Sequence, residues 1–123
     1  MILVDTSVWI DHLHAGEALL VDLLGRDQVG CHSLVIEELA LGSIKRRDEV
    51  LGLLSNLATF PVLSHSELRH FVDAHRLWGR GLSAVDAHLL GSVALGGGGM
   101  MWTRDKRLLA ACEAVGVSAV TEP

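Results

Sequence analysis

Short apolar runs alternate with longer stretches of helical period along the whole chain. Ile2-Leu3-Val4 reads as a short strand closed by Asp5, and Thr6-Ser7 offers N-cap chemistry ahead of Val8, Trp9, Ile10 and Leu13. A second helix runs from Glu17 to about Gly25, and Gln28–Cys31 is a second, weaker strand. Ser33 caps a helix to Leu41, with Gly42 where a C′ glycine belongs. Residues 46–57 carry Val50, Leu51, Leu53, Leu54 and Leu57 on one side of another helix. Phe60–Leu63 is a strand whose Pro61 places it at an edge or a strand start. Ser64 and Glu67 make a capping box, opening a helix to about Trp78 that Gly79-Arg80-Gly81 breaks. Ser83 starts the next helix, which ends in Gly96–Gly99. Met100–Trp102 is a strand, Asp105–Val115 a helix and Val117–Val120 a last strand.

Strands alternating with helices specify an α/β fold: a short, mostly parallel central sheet flanked by helices on both faces. The strands are nearly continuous apolar runs rather than alternating ones, which fits burial on both sides. At 123 residues and 50% hydrophobic content, residues 1–123 fit a single domain whose core needs no disulfide or structural metal. That content excludes dominant disorder, and no run approaches the length of a membrane span. Met1-Ile2-Leu3-Val4-Asp5 has none of the features of a signal peptide, so a cytoplasmic protein is expected. Cys31 and Cys112 lie in apolar surroundings and read as buried free thiols, not as zinc ligands.

The formal charge is −5, from 10 basic and 15 acidic residues, which at face value argues against nucleic acid. The placement of the acids changes that picture. Ligands of open parallel sheets bind beyond the carboxyl ends of the strands. Asp5 directly follows one strand and Asp105 follows another by two residues, although either could serve as a turn or cap residue. Glu37 and Glu38 are the only polar positions in Leu34–Leu41, and Asp86 heads an otherwise small and apolar helix while also standing three residues after Ser83. Neighbouring helical residues point about 100° apart, so one of the two glutamates enters a given pocket, and spacing does not choose between them. Carboxylates gathered in one site need a cation to stay ionised. An all-oxygen donor set selects Mg²⁺ or Mn²⁺, ions that activate water and clamp phosphodiester oxygens.

At these residues the chain resembles the PIN-domain ribonucleases, in particular the VapC-type toxins of toxin–antitoxin pairs. Ile2–Ile10 looks like the first motif of that family, Glu38-Leu39-Ala40-Leu41-Gly42 the second, Leu82–Ala87 the third and Trp102–Lys106 the fourth. The match to the second motif selects Glu38 over Glu37. The resemblance implies a three-layer α/β/α PIN-like fold and a metal-dependent endoribonuclease. Asp5, Glu38, Asp86 and Asp105 would bind Mg²⁺ or Mn²⁺, and activated water would leave 5′-phosphate and 3′-hydroxyl ends. Ser7 and Thr103 match the motif hydroxyls and would orient the carboxylates or the water. It further implies a homodimer neutralised by a cognate antitoxin, whose tail covers a groove and reaches the acidic site. The antitoxin, and not this chain, would contact DNA, and no membrane is involved.

Without the four proposed ligands, 15 − 4 = 11 acids stand against 10 bases, so RNA is compatible with the charge. Arg104, Lys106 and Arg107 flank Asp105 and are candidate phosphate contacts, as are Lys45-Arg46-Arg47. His65, His70 and His75 recur every five residues, which lines up no helical face, and the histidines are assigned no ligand role. Trp9 and Trp78 read as core or partner-groove residues ahead of base stacking. A non-catalytic PIN-like module binding RNA or a partner is the alternative, and it would be expected to lack one of the acids. A haloacid-type phosphatase would want a second acid two residues after Asp5, where Ser7 stands, and a receiver domain would want paired acids in the first loop.

Overall fold

The computed structural model describes residues 1–123. Five strands, β1 (Ile2–Val4), β2 (Val29–Cys31), β3 (Ala58–Thr59), β4 (Met100–Trp102) and β5 (Ser118–Ala119), form one sheet in the order β3-β2-β1-β4-β5. Every pairing is parallel. Helices α1 (Thr6–Ala15) and α2 (Ala18–Gly25) link β1 to β2, and α3 (Ser33–Leu41) and α4 (Arg47–Ser55) link β2 to β3. The chain then crosses back through α5 (His65–His75) and α6 (Ala84–Leu95) to β4, and α7 (Lys106–Val115) leads to β5.

Because the first crossovers step one way along the sheet and the later ones the other, right-handed connections put α1–α4 on one face and α5–α7 on the opposite face. The helix contacts follow that division, α1 with α3 and α3 with α4, then α5 with α6 and α6 with α7. This is the three-layer α/β/α arrangement. The strand order reverses between β1 and β4, which opens a crevice beyond their carboxyl ends. Ile2, Leu3 and Val4 pair with Met100, Met101 and Trp102, and this central seam is buried among Leu20, Leu39, Leu89, Leu90 and Leu108. Gly30 is required on β2, since a Cβ there would lie 2.6 Å from the ring of Phe60.

Several element ends differ from those the sequence suggests. The strand expected at Phe60–Leu63 lies at Ala58–Thr59. The Phe60 N–H still donates to the Cys31 carbonyl at 2.9 Å, but Pro61 has no N–H with which to continue the ladder. Asp5, not Thr6 or Ser7, caps α1. His32 caps α3 in place of Ser33, its Nδ1 accepting from the Leu34 N–H at 3.0 Å. Gly42 is extended, with φ −89°, and is not a left-handed C′ glycine. The helix expected to reach Trp78 stops at His75, where Arg76 turns left-handed. Both capping boxes, Ser64 with Glu67 and Ser83 with Asp86, form as the sequence predicts. Cys31 and Cys112 are free and buried, and burial pushes each thiol up to about 11. No helix is long and apolar enough to cross a membrane.

Candidate functional site

The crevice between β1 and β4 begins with a backbone bond. The Asp5 N–H donates to the Trp102 carbonyl at 2.8 Å, which fixes Asp5 at the tip of β1. Its side chain then caps α1, with Oδ1 accepting from the Thr6 N–H at 2.8 Å. Oδ2 accepts from the Thr103 hydroxyl, also at 2.8 Å, from the far side of the crevice. Asp5 is only 8% exposed. Burial pushes its carboxyl above the ordinary aspartate value, the bonds from Thr103 and Thr6 pull it partly back, and the charges of Asp86 and Glu38 push it up again. The Asp5 carboxylate therefore feels two more acids contributed by different helices.

Glu38 reaches this group from α3, where its Oε1 accepts from the Thr6 hydroxyl at 2.6 Å. Glu37 receives no such bond, and of the two glutamates the hydrogen bond from Thr6 ties only Glu38 to this group. Asp86 sits in the first turn of α6, its Oδ2 accepting from the Ser83 N–H at 3.1 Å. Asp105 caps α7, with Oδ1 accepting from the N–H groups of Arg107 at 2.8 Å and Leu108 at 3.2 Å. The capping roles open to both aspartates are thus filled, and each uses one carboxylate oxygen and leaves the other free. Thr103 also accepts from the Asp105 N–H at 3.1 Å, so a single buried hydroxyl spans two of the acids.

Thr6 is the hydroxyl that sequence reasoning missed. It stands in the first motif, but Ser7 was expected in its place. Ser7 is exposed and bonds to none of the four carboxylates, while Thr6 is buried against Glu38. No local signal separates the two hydroxyls; the packing of α3 against α1 brings Glu38 to Thr6.

No three acidic, histidine or cysteine side chains are drawn closely enough together to grip an ion as they stand. The donor chemistry nevertheless suits one. The four carboxylates make no ion pair with any lysine or arginine. A mostly buried carboxylate pushed up by two neighbours is a group that a hard, oxygen-seeking cation would neutralise.

Among the expected phosphate contacts, Arg104 is already engaged. Its guanidinium pairs with Asp11 at 2.6 Å, Glu17 at 3.0 Å and Glu122 at 2.6 Å, and it lies 6.0 Å from the ring centroid of Trp102. These bonds push Arg104 up, and they hold the Glu122 carboxyl below its ordinary value. It ties the end of α1 and the C-terminal segment to the fourth motif, so the free cations there are Lys106 and Arg107, both exposed.

Residues 2–114 match the family model described as PIN domain. The chain is 67% identical over 122 residues to Ribonuclease VapC32 of Mycobacterium tuberculosis, from two strains, covering 99% of this chain and 98% of each relative. Among solved structures it is similar to a chain of FitAB bound to an IR36 DNA fragment, with TM-score 0.64 and 19% identity over 98% of this chain and 94% of that one. It is also similar to PAE2754 from Pyrobaculum aerophilum, with TM-score 0.62 and 22% identity over 97% of this chain and 88% of that one. At these identities the structural likeness concerns the fold.

Proposed function

The chain belongs to the PIN-domain family, and we propose that it is a divalent-cation-dependent endoribonuclease, the toxin of a VapC-type toxin–antitoxin pair. The observation that carries this reading is Asp5, a mostly buried carboxylate held from both sides by hydroxyl and amide donors and facing two further acids without a counter-charge. Identity of 67% across the chain to a protein named as a ribonuclease points to RNA as the substrate.

Asp5, Glu38, Asp86 and Asp105 would hold Mg²⁺ or Mn²⁺. When bound, such an ion supplies an acidified water and charge neutralisation at phosphodiester oxygens. The residues of the chain do the rest. Thr103 and the Thr6 N–H fix both oxygens of Asp5 in place before substrate arrives. Thr6 aims Glu38 toward the same space. The caps at Asp86 and Asp105 set each carboxylate at a helix N-terminus, where a negative charge is favoured even while the site is empty of substrate. Hydrolysis would leave 5′-phosphate and 3′-hydroxyl ends. Residues 1–123 would act as one PIN domain, in the cytoplasm and as a homodimer.

The antitoxin would dock on the face where Ile10, Leu13, Ile44, Val50 and Leu53 line a groove between α1 and α4. Ile10 and Leu53 are exposed there, and Leu41 is exposed nearby at the end of α3, an apolar surface that suits an amphipathic helix.

The test is incubation of the purified chain with total bacterial RNA and Mn²⁺, with 5′-phosphate ends mapped by sequencing. Discrete sites that vanish with Asp5→Asn and with chelator are expected. A folded, antitoxin-free sample inactive on RNA from several sources would overturn the reading.

A further inference from the structure

Of the 10 lysines and arginines, Arg26, Arg46, Arg47 and Arg104 are held in ion pairs. Four of the six left unpaired, Arg76, Arg80, Lys106 and Arg107, fall on two adjoining segments, the turn 76–82 and the first turn of α7. In the middle of that turn stands Trp78, 63% exposed, while Trp9 and Trp102 are buried.

The turn has a defined shape. Leu77 is buried beneath it and Leu82 packs on the core, so both ends are anchored. Arg76, Gly79 and Gly81 all have positive φ, at 52°, 72° and 77°. Arg80 Nε donates to the Arg76 carbonyl at 3.4 Å. The Arg107 side chain lies across Gly81, where a Cβ would come within 2.9 Å of its Cδ. Ser83, next along the chain, caps the helix that carries Asp86, and Arg107 lies two residues beyond Asp105. The turn thus borders the acidic crevice on its α6 and α7 side.

We propose that the turn 76–82 is a nucleotide platform of the ribonuclease: the Trp78 indole stacks on one base of a single-stranded segment of the RNA substrate, and Arg76, Arg80 and Arg107 take the flanking phosphates. This rests on the ribonuclease reading above and names the part of the chain that holds the substrate. Residues 76–83 contain no other exposed large apolar side chain, and the core of a protein–protein interface is a contiguous apolar patch low in charge. One exposed aromatic face among unpaired cations matches what an unstacked, negatively charged strand requires.

The chain has no tyrosine and its other two tryptophans are buried, so solvent-accessible emission reports on Trp78. In the Asp5→Asn chain, a mixed-sequence single-stranded oligoribonucleotide should quench that emission. Trp78→Ala should raise KM for RNA cleavage, and the oligoribonucleotide Kd in the Asp5→Asn background, by about 10- to 100-fold. Its kcat should hold, and Trp78→Phe should restore most of the affinity. Arg80→Glu should weaken binding and flatten its salt dependence. Circular dichroism and melting establish that each variant is folded, and sedimentation establishes its oligomeric state. A folded Trp78→Ala chain with parental KM and Kd overturns the platform and leaves the ribonuclease reading standing. Loss of self-association with unchanged RNA affinity overturns it in favour of a protein contact. Failure of the unsubstituted chain to bind or cut any RNA overturns both.

Discussion

The Thr103 hydroxyl donates to Asp5 Oδ2 at 2.8 Å, joining the ends of β1 and β4 across 98 positions of chain. Both partners are buried, so the bond is shielded from water and its donor has no easy substitute. Thr103→Val keeps the shape and removes the donor. It should lower stability by about 1–3 kcal/mol, the range for a buried hydrogen bond to a charged acceptor, while Thr103→Ser loses far less. Thermal denaturation of the three proteins measures this. Cleavage by Thr103→Val should fall, because Asp5 would lose one of the donors that hold its carboxylate.

Asp5 also sets a pH dependence. Its carboxyl is raised above the ordinary 3.8, chiefly by burial, so the folded chain binds that proton more tightly than the unfolded one. The associated stabilisation is complete below the unfolded value and is lost as pH rises through the folded one. At neutral pH an ionised Asp5 therefore opposes folding. The Tm of the cation-free parent measured against Asp5→Asn, which also abolishes RNA cleavage, should fall as pH rises from 4 toward 7. The variant loses one acceptor for Thr103 at every pH, so the trend and not the absolute difference reports the carboxyl. A Tm difference that does not change with pH would contradict this account.

A cation that binds the folded site should stabilise the parent chain. At 100 times its Kd, Mn²⁺ would add about 2.7 kcal/mol by mass action. Asp5→Asn should show little of this gain, and chelator should reverse it. Melting curves with and without Mn²⁺ read the effect without reference to activity.

Glu37 and Glu38 are adjacent in sequence but differ in contact. Only Glu38 receives the 2.6 Å bond from Thr6. Glu38→Gln should weaken divalent-cation binding and lower cleavage by about 10- to 100-fold, as disturbing the groups around a metal site does, whereas Glu37→Gln should match the parent. Equal losses in the two variants would remove the distinction.

Arg104 holds Asp11, Glu17 and Glu122 together around one guanidinium whose side chain is 30% exposed. Arg104→Met should destabilise the chain by about 1 kcal/mol, in keeping with a partly solvated network. The Glu122 carboxyl is held below its ordinary 4.5 by Arg104. That contribution is present above the unfolded value and fades as pH falls through the folded one, so the gap between parent and variant should narrow below about pH 4.5. Hydrogen exchange should show the C-terminal segment opening faster in the variant.

Much of this molecule is visible in its residues. Both capping boxes are written in local sequence, because Ser64 with Glu67 and Ser83 with Asp86 need only three-residue spacing to form. The misread strand at Phe60–Leu63 shows the limit of local apolarity. Its register depends on which carbonyls of β2 stay open, and Pro61 removes the donor that would have extended it. His32 as the cap of α3 had no clear sequence signal, since Ser33 beside it is the stronger cap former.

The sequence by itself determined the α/β alternation, the buried central strands, both capping boxes and three acids at strand ends and helix starts, with a fourth inside an apolar helix. These follow from periodicity and short spacings, which a chain carries wherever it goes. Tertiary structure alone decided that Thr6 and not Ser7 meets Glu38, that Thr103 closes onto Asp5, and that Arg104 is spent on three carboxylates. It also decided that Trp78 faces solvent. Each depends on which distant segments a side chain meets after the sheet reverses its strand order between β1 and β4. A hydrogen bond spanning 98 positions has no signature in the residues beside either partner.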